Sequence, residues 1–215
     1  MSMAEPKLNL AKRNLILKAA VKVFAQQGYS GCRVADIAEE AGIAYGLIYR
    51  YFPSKDDLLI AIFQENTQIY LKKIEQISQD YFDPRDKLRC LIQYIFDNFQ
   101  KSPDLVKVMT MDIPMLNRFY DEENQKLYEL SLEGAANIVR EGQEMGLFSK
   151  KITPIMASYM LNGSVEMAIR QYVFRPQRNA LNEISIKDAT DQILEVIIKG
   201  LTPADNKGLK VASRP

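Results

Sequence analysis

Arg33-Val34-Ala35-Asp36-Ile37-Ala38-Glu39-Glu40-Ala41, then Gly42-Ile43-Ala44, then Tyr45-Gly46-Leu47-Ile48-Tyr49-Arg50-Tyr51 is the stretch that decides the fold. The first segment carries Val34, Ile37, Ala38 and Ala41 at helical spacing, which gives one apolar edge. Gly42 supplies the backbone freedom for a sharp turn, and the small Ala38 lets a second short helix approach closely. Ile43 and Ile48 are placed to fill the wedge between the two helices. What remains outward is Tyr45, Gly46, Leu47, Tyr49 and Arg50. Two short helices joined by a three-residue turn containing Gly make the helix-turn-helix layout, in which the second helix enters a major groove.

Outward from this stretch the chain keeps a helical period. Prolines at 6, 53, 84, 103, 114, 154, 176, 203 and 215 fall where that period breaks, as expected of residues tolerated at helix starts and disruptive inside them. Ile16, Ala19, Ala20, Val23 and Phe24 share one face of a first helix that ends near Gly28. The spacing predicts further helices over residues 55–80, 84–103, 103–111, 121–145, 154–174 and 186–200, with Gly146 as a helix stop. No alternating strand pattern is present. The chain reads as all-α with about nine helices, and the polar, Pro- and Gly-bearing segment 202–215 reads as a disordered tail.

Composition removes whole classes of chemistry. The 215 residues hold no histidine, so there is no Ser-His-Asp triad, no Cys-His dyad and no imidazole metal ligand. Cys32 and Cys90 stand far apart with no C-x-x-C, which speaks against a zinc knuckle or a disulfide framework and fits a reducing cytoplasm. No ordered pair of carboxylates or buried-lysine motif suggests catalysis, so neither an enzyme nor a cofactor is expected. No apolar run is long enough to span a membrane. The net charge of +1 names no partner, but its distribution does. Residues 1–55 hold eight Lys/Arg against four Asp/Glu, a balance of +4, while residues 121–146 stand at −5. A basic end on a near-neutral chain suits docking to DNA through that end alone.

The run Arg13...Ile16-Leu17...Ala20...Phe24...Gly28-Tyr29...Val34...Ile37-Ala38...Ala41-Gly42-Ile43-Ala44-x-Gly46-Leu47-Ile48-Tyr49-x-Tyr51-Phe52-x-Ser54-Lys55-Asp56-Asp57-Leu58-Leu59 resembles the TetR family of transcriptional repressors. The resemblance implies an N-terminal three-helix DNA-binding head (1–54), a larger helical ligand-binding and dimerisation body (55–201) and a homodimer through the last two long helices. It implies that Tyr49 and Lys55 hold phosphates, that Tyr45 and Arg50 reach bases, and that Gly46 permits close backbone approach. Arg33, Leu47 and Tyr51 complete the expected DNA-facing set. Many members carry Ser or Thr at the position of Cys32 to cap the second helix, and Thr at the position of Leu47; a thiol is a weaker cap.

For the body, the methionines and the stripe containing Phe96 suit an adaptable apolar pocket. The expected ligand residues are Phe96, Met109, Asp112, Met115, Arg118, Tyr120, Asn162, Glu166 and Arg170. The link Met145-Gly146-Leu147-Phe148 resembles the one preceding the dimer helices in fatty-acid-responsive members, which puts a fatty acyl-CoA first among effectors. Small residues Ala157, Gly163 and Ser164, with Ile193, Val196, Ile197 and Leu201, are the expected dimer seam. The expected function is a ligand-responsive repressor that leaves a palindromic operator when a hydrophobic small molecule binds. The alternative is a ligand-independent DNA-binding protein whose body takes a protein partner.

Overall fold

The computed structural model describes residues 4–174 and 185–203, and the tail expected from residue 202 lies, beyond Pro203, outside the described residues. Among the described residues every regular element is helical. Nine α-helices follow in order: α1 (Ala4–Gly31), α2 (Val34–Ala41), α3 (Tyr45–Tyr49), α4 (Lys55–Asp80), α5 (Pro84–Lys101), α6 (Pro103–Met111), α7 (Glu122–Glu144), α8 (Pro154–Phe174) and α9 (Ile186–Leu201). The break expected at Pro114 is filled by two 3₁₀ turns, Ile113–Met115 and Asn117–Tyr120, which no periodicity foretold.

The chain packs as two units. The first comprises the residues up to Asn66 together with Ser102–Gln125; the second comprises Thr67–Lys101 and the residues from Lys126 onward. The boundary read from the sequence, between residues 54 and 55, falls inside the first unit. Helices α4 and α7 each give their first turns to one unit and the rest to the other.

In the first unit Ile16, Ala20 and Phe24 of α1, Ile37 of α2, Ile48 of α3 and Leu58, Leu59 and Ile62 of α4 are buried almost completely. These are the inward positions of four helices; α2 and α3, with 8 and 5 residues, are too short to be stable alone, and burial against α1 and α4 is what holds them helical. The helical path of α1 is interrupted at Gly28, whose φ of 73° and ψ of 158° no helix contains. Here the Gly matters, because side-chain-bearing residues rarely adopt that φ.

In the second unit α5, α8 and α9 pack together. Leu88, Leu91, Ile92 and Phe96 of α5 are fully buried. Ile69 of α4 is exposed. Lys87 lies on the buried stripe of α5 at 4% exposure, and its ammonium meets both carboxylate oxygens of Glu141 at 2.7 Å. A buried lysine is tolerated only when paired in this way. Gly146 (φ 72°) ends α7 as expected, and Gln143 Nε2 donates to the carbonyls of Ser149 and Ile152, fixing the link to α8. On α8 and α9, Tyr159, Met160, Gly163, Ser164, Met167 and Val196 face outward. Ala157 and Leu201, expected in the dimer seam, are buried inside the unit, since both belong to its own core stripes.

One contact tests this packing directly. A Cβ built on Gly142 overlaps the ring of Phe148, itself 2% exposed. Gly142→Ala is therefore expected to lower stability by about 1–3 kcal/mol despite the better helix propensity of Ala. Thermal unfolding measures it, and an unchanged or higher melting temperature contradicts the packing described.

Candidate nucleic-acid interface

Helix α2 starts at Arg33, the N-cap residue, whose backbone N–H donates to Asp36 Oδ2 at 2.9 Å. This corrects the reading of Cys32 as the cap. Cys32 is buried, its thiol points to the Arg33 carbonyl at 3.5 Å, and burial pushes its pKa up to about 11 although Lys55 opposes the shift. The thiol sits in the core, and the carboxylate of Asp36 does the capping. At the other end Gly42 (φ 64°, ψ 35°) takes the left-handed conformation, and the N–H of Ile43 closes on the Ala38 carbonyl at 3.0 Å. That closure aims α3 outward.

Helix α3 is held by one buried side chain, Ile48, while Tyr45, Gly46, Tyr49 and Arg50 are exposed and Leu47 and Tyr51 are half-buried. The Tyr45 and Tyr49 rings meet edge to face, centroids 5.2 Å apart, and their hydroxyls share a 2.8 Å hydrogen bond. That bond raises the Tyr49 pKa, so the phenol stays protonated and able to donate. Beside them a cleft of about 720 Å³ opens between α2 and α3, floored by Val34, Ala35, Ala38 and Ile43 and rimmed by Arg33, Glu39, Tyr45 and Tyr49. Five of the eight expected DNA-facing residues, Arg33, Tyr45, Gly46, Tyr49 and Arg50, thus share an exposed surface.

Lys55 stands apart from these. Its ammonium donates to the carbonyls of Tyr29 (2.5 Å) and Cys32 (2.9 Å) and lies 4.2 Å from the centre of the Tyr29 ring. Two of its three N–H groups are thereby committed to the end of α1, leaving one for a phosphate. The Tyr29 hydroxyl bonds the Asp56 carboxylate, and its pKa rises through burial first and that bond second. The Tyr29 backbone N–H donates to Asp112 Oδ1 at 3.1 Å, and Lys107 Nζ donates to the Ala25 carbonyl at 2.6 Å. Helix α6 therefore grips the end of α1 at two points. Burial raises the Asp112 pKa, and the Tyr29 N–H and Lys107 oppose the shift.

The nine expected ligand residues divide between the two units. Met109, Asp112, Met115, Arg118 and Tyr120 belong to the first unit; Phe96, Asn162, Glu166 and Arg170 belong to the second. Asp112 is taken by Tyr29, and Arg118 pairs with Asp57 at 2.7 Å, an ion pair that with Ser54 holds the Asp57 pKa down. Asn162 bonds the carbonyl and hydroxyl of Ser158, and Glu166 pairs with Arg170 along α8 at 2.8 Å. Met115 and Tyr120 are 80% and 61% exposed, and Phe96 is sealed in the core. Among these polar residues Asp112 and Arg118 bond to other helices, whereas Asn162, Glu166 and Arg170 bond within α8.

The profile of bacterial regulatory proteins of the tetR family matches residues 16–62, and that of the YsiA-like C-terminal region matches residues 63–200. The chain belongs to the TetR family. It is a transcriptional regulator with a helix-turn-helix, not an enzyme. The fatty acid metabolism regulator protein of Bacillus subtilis is 28% identical over 190 residues, covering 86% of this chain and 93% of that protein. The repressor NicS of Pseudomonas putida is 29% identical over 84% of this chain and 83% of its own length. Among solved structures, the transcriptional regulator FadR from Bacillus subtilis in complex with stearoyl-CoA superposes with a TM-score of 0.76 at 25% identity, covering 87% of this chain and 98% of that one. TetR regulators bind DNA operators and small-molecule effectors as dimers. No helix among the described residues is long and apolar enough to cross a membrane.

The two kinds of cation in this TetR head separate by experiment. Arg50→Ala removes an exposed side chain and is expected to leave the melting temperature unchanged while weakening operator binding. Lys55→Ala is expected to weaken operator binding and also to lower the melting temperature, losing about 1–2 kcal/mol of stability with its charge-assisted bonds to the carbonyls of Tyr29 and Cys32. A Lys55→Ala protein that melts like the parent returns all the work of Lys55 to the DNA.

Proposed function

We propose that this TetR-family regulator is a repressor that binds a palindromic operator as a homodimer and is released by a hydrophobic effector, with a long-chain fatty acyl-CoA first in line. The observation that carries the reading is the near full-length match to a fatty acid metabolism regulator, joined to a fold neighbour described in complex with stearoyl-CoA. DNA contact falls to the segment 1–54 with the first turn of α4, and effector binding and dimerisation to residues 55–201. In this reading Arg33, Tyr49 and Lys55 meet phosphates, Tyr45 and Arg50 meet base edges, and Gly46, Leu47 and Tyr51 shape the approach.

The exposed outer faces of α8 and α9 supply the dimer seam. Gly163 has open space over its Cα, and with Ser164 it lets a partner helix come close; Met160, Met167 and Val196 bring apolar area that is otherwise in water. A two-fold protein presents two α3 helices to two half-sites about 34–36 Å apart.

Release requires that the effector bind the DNA-incompetent arrangement more tightly than the competent one. Helix α4 is one uninterrupted helix whose first residue, Lys55, holds the end of α1. An effector bound along its later turns acts on that first turn through the helix itself. A coupling of about 1–3 kcal/mol changes operator affinity roughly 5- to 150-fold.

Two measurements test the reading. An operator obtained by binding-site selection is expected to be palindromic and to lose affinity within that range when stearoyl-CoA is added. Gly163→Leu is expected to shift the protein from dimer to monomer in sedimentation at micromolar concentration. An operator complex indifferent to stearoyl-CoA removes the acyl-CoA effector, and a monomeric parent removes the dimer.

A further inference from the structure

Among the described residues, one fully buried side-chain oxygen has no hydrogen-bond partner, the hydroxyl of Tyr70. It belongs to the second unit, in the middle of α4. Its ring stacks on that of Tyr94 from α5, with centroids 6.4 Å apart and planes inclined by 23°. One turn further along α4, the half-exposed Lys73 holds its ammonium 5.8 Å from the centre of the same Tyr94 ring. The next residue, Ile74, is buried and its side chain occupies the space over Gly134 of α7. The Tyr70 residue is half-buried, but its hydroxyl oxygen is closed off from solvent beside the Tyr94 ring, with a cation nearby and no acceptor among the described residues.

Buried hydroxyls without partners are rare because desolvation is not repaid, and each asks for an explanation. A tyrosine serving only to fill the stack needs no oxygen: Phe fills the same space without the penalty. Burial, with a smaller contribution from Tyr94, raises the Tyr70 pKa, so the group is a neutral donor at any physiological pH. A trapped water is a poor partner unless it finds two or more further polar groups. A ligand brings its own acceptor.

We propose that Tyr70 is the polar anchor of the effector site: its O–H donates to a carbonyl oxygen on an otherwise apolar ligand. Lys73, at the solvent edge of the stack, meets the anionic portion of the same molecule. The class so defined is a long-chain acyl ester or thioester with an anionic head group. Cationic hydrophobic compounds are disfavoured, since Lys73 repels them and Tyr70 has no negative charge to offer. The inference rests on the ligand-responsive reading above and adds to it the atom by which the ligand is held.

The test uses the full chain, the Tyr70→Phe variant, and two probes: stearoyl-CoA and its thioether analogue octadecyl-CoA, which lacks the carbonyl. Without ligand, Tyr70→Phe is expected to melt at or above the parent, because an unsatisfied hydroxyl contributes nothing that its removal loses. In titration calorimetry the variant is expected to bind stearoyl-CoA roughly 3- to 10-fold more weakly. The parent is expected to prefer stearoyl-CoA over the thioether by a similar factor, and the variant to bind the two alike. A variant that keeps parental affinity for stearoyl-CoA, or that still discriminates between the probes, overturns the anchor while leaving the acyl-CoA reading in place. A variant that melts clearly lower without ligand also overturns it, because the hydroxyl then had a partner in the free protein. A parent that binds neither probe overturns both readings together.

Discussion

Everything at the DNA-facing end depends on what happens where α1 stops. Gly28 breaks the helical path, and the Lys55 ammonium of α4 is brought across to donate to the carbonyls of Tyr29 and Cys32 beyond the break. Lys55 is the first residue of α4, where the helix macrodipole disfavours a cation. Two carbonyls and an aromatic face outweigh that cost. Because the same short segment also gives its Tyr29 N–H to Asp112 and its Tyr29 hydroxyl to Asp56, three elements converge on one irregular turn. The recognition helix α3 itself has a single fully buried side chain, Ile48, so its direction is inherited from this knot and from the Gly42 turn rather than from packing of its own.

A second consequence follows for the segment after Ser102. It packs with α1 and α4 in the first unit through Lys107, Asp112 and Arg118, each a charged residue spent on a neighbouring helix. These bonds are directional, and a polar bond between helices is lost by a small displacement that an apolar contact would follow. The end of α1 is thus joined to the rest of its unit by contacts that are either made or broken. Such contacts suit the proposed release from the operator, which needs two states that differ in DNA affinity by a discrete step.

The helices were legible because their causes are local. Proline spacing, the 3.6-residue apolar period and the Gly42 and Gly146 stops each act within a few residues, and the bounds of α4, α6 and α8 match the reading from sequence. The outward set on α3 was legible for the same reason: a five-residue helix with one buried position leaves little choice about what faces out. The body's chemistry was not. Asp112, Arg118, Asn162 and Arg170 are polar residues on apolar stretches, and from sequence a bond within the protein and a ligand contact look alike. Only the partner decides, and the partner of Asp112 is 83 residues away. Cys32 misled through its neighbour: Arg33 occupies the cap position, and the capping oxygen comes from Asp36, three residues later. Tyr70 carried no signal at all, since its oddity is the lack of a partner, which no pattern records.

The shared hydrogen bond between Tyr45 and Tyr49 has a meaning for how this surface can change. Two phenols that spend one proton on each other behave as a single unit with one proton left to give, so neither position is free to drift alone. A substitution at Tyr45 alters what Tyr49 offers, and the reverse holds equally. In the proposed reading, where Tyr45 meets a base edge and Tyr49 a phosphate, the base contact and the backbone contact are therefore set together. Replacing either tyrosine alone then disturbs both contacts.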